Sequence, residues 1–178
     1  MPSFFSHAIT GYAIRKVVGP QKAPWSLSFC AAVCAALPDI DVLGFKMGIS
    51  YHDVWGHRGM THSIAFALLI GVLVAFVLCK GKVKASPFIR YALVLFLATL
   101  SHGIFDAMTS GGLGIAFFAP FDETRYFLPW RPIQVSPLSI QAFLGEWGWR
   151  VIKSEFFYLW IPSLLIILVS RFGFNTKS

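Results

Sequence analysis

The stretch Phe88 to Met108, FIRYALVLFLATLSHGIFDAM, decides the reading of the chain. Its apolar run is long enough to cross a hydrocarbon core, which takes about 20 residues, and it ends by presenting His102 and Asp106. Residues four apart share a helix face, so the two side chains point the same way. Elsewhere a lone His-x-x-x-Asp reads as a hydrogen-bonded pair. At the end of a membrane span, where ionisable groups are costly and rare, it reads as two ligands for one ion.

Outward from this helix, the 178 residues are 56% hydrophobic and 13% charged, with a mean hydropathy of +0.67. Soluble domains carry about a quarter charged residues. The chain therefore reads as all-α, a polytopic membrane bundle of about five helices. The length suits a single domain over 1–178, with no internal repeat. Candidate spans are Trp25 to Leu43, His62 to Cys79, Phe88 to Met108 and Phe156 to Phe172. Pro38 and the Asp39/Asp41 pair should end the first helix near Leu37, and Pro162 should kink the last. A shorter helix, Phe4 to Val18, either crosses a thinned bilayer or packs partly buried against the bundle.

Charge sets an expected orientation. The turns after the first helix (Arg15, Lys16, Lys22), between the second and third long segments (Lys80, Lys82, Lys84, Arg90) and at the C-terminus (Arg171, Lys177) hold nine basic residues and no acidic one. The positive-inside rule makes these turns cytoplasmic. The N-terminus is then outside and the C-terminus inside, after five crossings. The remaining six basic and all eight acidic residues fall outside. The stretch 109–154, rich in Gly, Pro and aromatics, becomes an outer loop. It would serve as a lid or substrate rim, or as a cap in the headgroup region suited to Trp130, Trp147 and Trp149.

The net charge of +7 and pI near 9.6 do not point to nucleic acid, because the basic residues are spread over short turns rather than along one face. Cys30, Cys34 and Cys79 all lie in apolar stretches, an odd number that argues for packing residues rather than a disulfide framework. Arg15 and Lys16 follow the first apolar stretch and no small-residue cleavage site appears, so the N-terminal segment is expected to be retained.

His7, Asp39, Asp41, His57, His62, His102 and Asp106 each sit at an end of an apolar segment, and the expected topology gathers those ends on one side. Imidazoles and carboxylates brought together there need a cation or protons to offset repulsion and desolvation. His57 and His62 are five apart, about 140° on an ideal helix, so they converge only if His57 sits in the loop that Gly56 and Gly59 permit, with Thr61 as a cap. Arg58 is placed to contact an anionic substrate or to pair with a carboxylate. Asp39 and Asp41 point opposite ways if extended, which suggests that one binds metal while the other orients a ligand imidazole; a turn or capping role is the plainer reading. His7 alone is a weak ligand candidate. His52 and Asp53 are expected in solvent, and Asp122, Glu123 and Glu146 are possible acid/base residues from the loop.

In chain order, His7, Pro38-Asp39-Ile40-Asp41, His57-Arg58-Gly59-Met60-Thr61-His62-Ser63 and His102-Gly103-Ile104-Phe105-Asp106 resemble the YdjM family of bacterial inner-membrane proteins, generally described as membrane-bound metal-dependent hydrolases. The resemblance covers most of the chain through Asp106 and weakens in the aromatic loop. That family looks distantly similar to zinc-dependent phospholipase C and related single-strand nucleases. The likeness implies ligands among His7, Asp39 or Asp41, His57 or His62, His102 and Asp106. No histidine follows His102 here, so one or two ions are expected rather than three.

The expected activity is hydrolysis at the outer face, with Zn²⁺ activating water against a phosphoester such as a lipid headgroup, or against an envelope-associated ester or amide. Arg58 would hold phosphate, and Asp39 would act as ligand or base. No nucleophile elbow or Ser-His-Asp arrangement appears. The alternatives are a noncatalytic membrane protein whose His/Asp site is structural, and a metal transporter. The latter would need polar residues continuing across the bilayer, and the segments turn apolar instead.

Overall fold

Alternating helix directions bring the polar ends of the apolar segments together. The computed structural model describes residues 1–84, 86–137 and 139–172, with the backbone alone for 171 and 172. Lys177 and the Arg171 side chain, two of the basic groups behind the expected orientation, lie outside the described residues.

The elements are α1 (Phe4–Val18), α2 (Trp25–Ala36), a 3-10 segment (Leu37–Met47), a 3-10 turn (Met60–His62), α3 (Ile64–Leu78), α4 (Phe88–Ala107), α5 (Ile140–Phe143), α6 (Glu146–Glu155), a π-helical turn (Phe156–Trp160) and α7 (Ile161–Phe172). Among the described residues there is no strand, only two isolated bridges, Thr109 with Ile133 and Ile115 with Tyr126. The molecule is a membrane helical bundle: Trp25–Met47, Phe88–Ala107 and Glu146–Ser170 are each long and apolar enough to cross a bilayer. Helix α3 is apolar but shorter; its 15 residues rise about 22 Å.

Small residues set the helix spacing. A Cβ on Gly11 would lie 2.3 Å from the Ala31 carbonyl oxygen, so α1 and α2 approach to backbone contact. Gly71 does the same for α3 against the Ala92–Phe96 turn of α4. Around them Leu27, Ala31, Cys34, Ala35, Ala75, Val94, Leu95 and Ala98 form the dry core. Cys34 is a packing residue there, as its setting in the sequence suggests.

Helix α2 gives way to 3-10 geometry at Leu37–Pro38, close to the expected end. Helix α3 begins at Ile64, not His62: Ser63, rather than Thr61, is its cap and accepts from the Phe66 amide. The last span starts earlier than expected. Helix α6 runs through the π-turn into α7, so residues 146–154 are helical and the loop is shorter than 109–154. The π-turn ends at Trp160, two residues before Pro162, whose missing N–H breaks the regular ladder. Helix α1 packs on α2, α4 and α7 with His7, Gly11 and Arg15 inward. Arg15 belongs to the last turn of α1 and is buried, not a turn residue, with Nη2 donating to the Ala23 carbonyl at 3.5 Å. A cation there also faces the negative end of the helix dipole.

Candidate metal centre

Four chain segments supply the site. His7 comes from the first turns of α1, Asp39 and Asp41 from the 3-10 segment after α2, His57 to His62 from the turns before α3, and His102 with Asp106 from the end of α4. The local sequence explains the bends. Arg58 has φ +68°, in the left-handed region, and Gly56 and Gly59 abut backbone carbonyls where no side chain fits. His57 thereby sits in the loop, the condition on which its convergence with His62 depends.

The donors fall into two groups. In the first, Asp39, His62, His102 and Asp106 each offer an atom within 4.8 Å of the others. His102 Nε2 lies 3.2 Å from Asp39 Oδ1. His62 Nε2 lies 3.7 Å from both Asp39 Oδ1 and Asp106 Oδ2. His7 stacks on His102 with ring centroids 3.7 Å apart and places Nε2 3.6 Å from Asp106 Oδ1. All are buried except Asp39, whose side chain is 14% exposed.

Hydrogen bonding on the far side fixes the tautomers. His102 Nδ1 is 2.8 Å from the Ala35 carbonyl, which can only accept, so Nδ1 carries the proton and Nε2 presents its lone pair. The Thr61 hydroxyl donates to Asp41 Oδ2 at 2.6 Å and is left to accept from His62 Nδ1 at 3.0 Å. His62 Nε2 therefore also presents a lone pair. Lone pairs of imidazole nitrogen and carboxylate oxygen face one another across 3.2–3.7 Å. Only a cation or a proton between them makes that arrangement stable. Both nitrogens of His7, Nε2 of His62 and both oxygens of Asp106 are buried without a hydrogen bond.

His62 lies in the turn before α3, outside the spanning helix. Burial by itself would lower its pKa, yet the Asp39, Asp41 and Asp106 carboxylates beside it carry it up to about 9. Left to itself the centre draws in a proton.

The second group, Asp41, His57 and His62, also brings three donors within 4.8 Å, but its carboxylate is already satisfied. Asp41 Oδ1 accepts from His57 Nδ1 at 2.7 Å, and Oδ2 accepts from the Arg58 amide at 3.1 Å and from Thr61. Asp41 thus stands behind His62 and beside His57, while Asp39 reaches the centre. The pair does divide as the sequence suggests, although through 3-10 geometry rather than an extended strand.

Of the two roles open to Arg58, the structure shows the ion pair. Its Nε lies 3.1 Å from Asp106 Oδ2, Nη1 donates to the Gly111 carbonyl at 2.8 Å and Nη2 to Thr109 Oγ1 at 3.0 Å, with the residue 1% exposed. Asp39, Asp41 and Asp106 outnumber the cations beside them, the Arg58 guanidinium and the Met1 ammonium, so the centre keeps a net negative charge that a cation would offset. The donor set fits such an ion: imidazole and carboxylate suit zinc.

His52 and Asp53 are exposed. Asp122, Glu123 and Glu146 are exposed and away from the centre; Asp122 binds Thr124, which holds its carboxyl below the usual range, and Glu146 faces Arg150. Among the described residues none of the three has a hydrogen bond or ion pair with the centre.

Two contributors escape sequence reading. Glu155 is fully buried and accepts from the Ser3 amide at 2.5 Å and from the Ser3 and Ser6 hydroxyls at 2.6 Å, clamping the turn that carries His7. Arg125 reaches back to the carbonyls of Tyr51, Asp53 and His57 at 3.0–3.1 Å and fastens the turn that carries Arg58. An acidic residue beside an apolar span is a usable signal for Glu155; nothing in the sequence singles out Arg125.

The family described as YdjM inner membrane protein matches residues 1–176. Inner membrane protein YbcI of Escherichia coli (strain K12) is 36% identical over 167 residues, covering 94% of this chain and 95% of that protein. No solved structure matches.

Proposed function

The chain belongs to the YdjM family of inner membrane proteins, and from that premise we propose that it is a metal-dependent hydrolase acting on a phosphoester such as a lipid headgroup. The observation that carries this reading is the set of buried ligand atoms without a hydrogen bond, both nitrogens of His7, Nε2 of His62 and both oxygens of Asp106, beside Asp39 and His102. The donor chemistry favours a divalent ion, Zn²⁺, held by Asp39, His62, His102 and Asp106 with His7 in reach. When bound, such an ion lowers the pKa of water toward about 7 and polarises an ester oxygen.

The residues of the chain do the rest. Asp41 and the Ala35 carbonyl orient the two ligand imidazoles, a support that governs metal affinity. Arg58 neutralises Asp106 and keeps the second hydrogen of each terminal nitrogen for substrate oxygens. Asp39, the exposed edge, admits water and is positioned as ligand or base. Ile40 and Leu43, both 54% exposed, flank it with apolar surface that a lipid substrate would meet. The positive-inside asymmetry of the basic residues supports an orientation with this end of the bundle away from the cytoplasm.

A structural metal is the second reading, and the number of donors favours it: with His7, five residues surround the centre, whereas a closed zinc site uses four. Metal content of the detergent-purified protein, wild type beside His102→Ala with Asp106→Ala, followed by phosphoester hydrolysis on the same samples, tests both. Stoichiometric zinc with hydrolysis, lost together in the variant, supports the hydrolase. Zinc without hydrolysis supports the structural site, and a folded, zinc-supplemented wild type without metal overturns both.

A further inference from the structure

Beside the centre lies a cavity of about 230 Å³ whose lining includes Tyr51, His57, Arg58, Gly112, Ser136 and Trp147. We infer that His57, backed by Asp41, is the proton donor to the leaving group and works from this cavity rather than as a metal ligand. The inference rests on the hydrolase reading above and assigns the acid which that reading lacks.

The geometry of His57 is that of an oriented acid/base. Its Nδ1 donates to Asp41 Oδ1 at 2.7 Å, which fixes the ring and leaves Nε2 as the exchangeable position. Among the described residues Nε2 makes no hydrogen bond, and the ring lines the cavity. Asp41 is itself held by the Arg58 amide and the Thr61 hydroxyl, so the dyad is rigid. A carboxylate behind an imidazole steadies the positive charge that the ring carries before it donates.

Arg58 links the two compartments. Its Nε faces Asp106 of the metal centre, while the side chain also lines the cavity. A phosphoester whose oxygens meet Arg58 therefore has its phosphorus toward the centre and its leaving group toward His57. Ligand pockets for drug-sized molecules run from about 300 Å³ upward, so this smaller cavity takes a headgroup-sized leaving group and not an acyl chain. Gly112, at φ +95°, keeps it open: a Cβ there would lie 2.2 Å from Arg58 Nη1 and 3.0 Å from the Tyr51 hydroxyl.

The chemistry balances with one water. Water adds to phosphorus and the bond to the ester oxygen breaks. That oxygen takes the proton from Nε2, and the proton released by the attacking water returns through solvent to the imidazole. The products are one alcohol and one phosphate.

The test uses full-length protein in detergent, loaded with zinc, and ethyl and 4-nitrophenyl esters of the same phosphate in both monoester and diester series. Nitrophenolate leaves without a proton; ethoxide does not. His57→Asn keeps an N–H toward Asp41 and deletes Nε2. It should retain stoichiometric zinc, lose about 10²–10⁴-fold on the ethyl esters and stay within about tenfold on the nitrophenyl esters. Equal losses on both, or loss of zinc, overturn the proposal and return His57 to a structural or ligand role. Should His57→Asn not fold, His57→Gln is read by the same criteria. A zinc-loaded wild type that cleaves neither ester removes the hydrolase reading and this proposal with it.

Discussion

The two halves of the His/Asp cluster use the same residue types and share His62, yet the Asp41 carboxylate of one half has all its hydrogen bonds and the Asp106 carboxylate of the other has none. Around Asp41, both carboxylate oxygens accept from named donors and His57 is locked by one of them. Around Asp106, whose Oδ2 has only the Arg58 ion pair, both carboxylate oxygens, Nε2 of His62 and both nitrogens of His7 are buried without a hydrogen bond. Composition cannot tell these halves apart; the count of satisfied atoms can. Buried polar groups are paired in the great majority of cases, so the unsatisfied half marks where a cation belongs, and the satisfied half marks what holds it in place.

The comparison breaks most visibly at the unsatisfied half. His102→Ala with Asp106→Ala removes one nitrogen and two oxygens from the centre and should abolish stoichiometric zinc, as elemental analysis of the purified protein would show. A variant that keeps its zinc would place the ion elsewhere. Asp41→Asn touches the satisfied half and should weaken zinc about 10–100-fold without abolishing it, the usual cost of losing a carboxylate behind a ligand imidazole. Competition with a chelator measures the difference. If Asp41→Asn matched the double variant, the division between the two halves would fail.

Acidity sharpens the same contrast. His62 without metal has its pKa raised from 6.5 to about 9. A raised folded-state value contributes stability that is fully present below the unfolded value of 6.5 and is lost as pH rises through 9. The metal-free protein should therefore lose stability between those limits, by roughly 3 kcal/mol at most. Zinc must displace that proton, so its apparent affinity should fall about tenfold per unit as pH drops below 9. Opposite slopes for metal-free stability and zinc affinity, measured in one buffer series, are the expected signature; parallel slopes would mean that His62 does not face the ion.

How much of this was legible before the coordinates depended on how far apart the partners lie. His102 and Asp106 sit four apart on one helix, and alternating helix direction was implied by the basic turns, so the gathering of His7, Asp39, His62 and Asp106 at one end followed from local pattern alone. The division of roles between Asp39 and Asp41 did not, because 3-10 geometry after Pro38 sets which carboxylate turns inward. The continuation of α6 into α7 was hidden by Trp147, Gly148 and the charges of Arg150 and Lys153, which read as loop. Glu155 and Arg125 were out of reach for a plainer reason: their partners, Ser3 and His57, are distant in sequence, and only the closed bundle brings them together.

Arg125 gives the mildest and most local test. It lies on neither half of the cluster, but its guanidinium donates to the carbonyls of Tyr51, Asp53 and His57 and sits over the Tyr51 ring. Its hold on the His57 carbonyl steadies Arg58 at positive φ, a conformation that a non-glycine residue keeps only when its surroundings impose it. Arg125→Gln should leave zinc stoichiometry intact and speed hydrogen exchange through residues 51–62 by about tenfold, since a partly exposed charged hydrogen-bond donor contributes on the order of 1–2 kcal/mol. Arg125→Lys, which keeps the charge but not the fork, should fall between. Unchanged exchange in both would mean that the turn is fixed by Asp41 alone, and the satisfied half of the cluster would then be self-supporting.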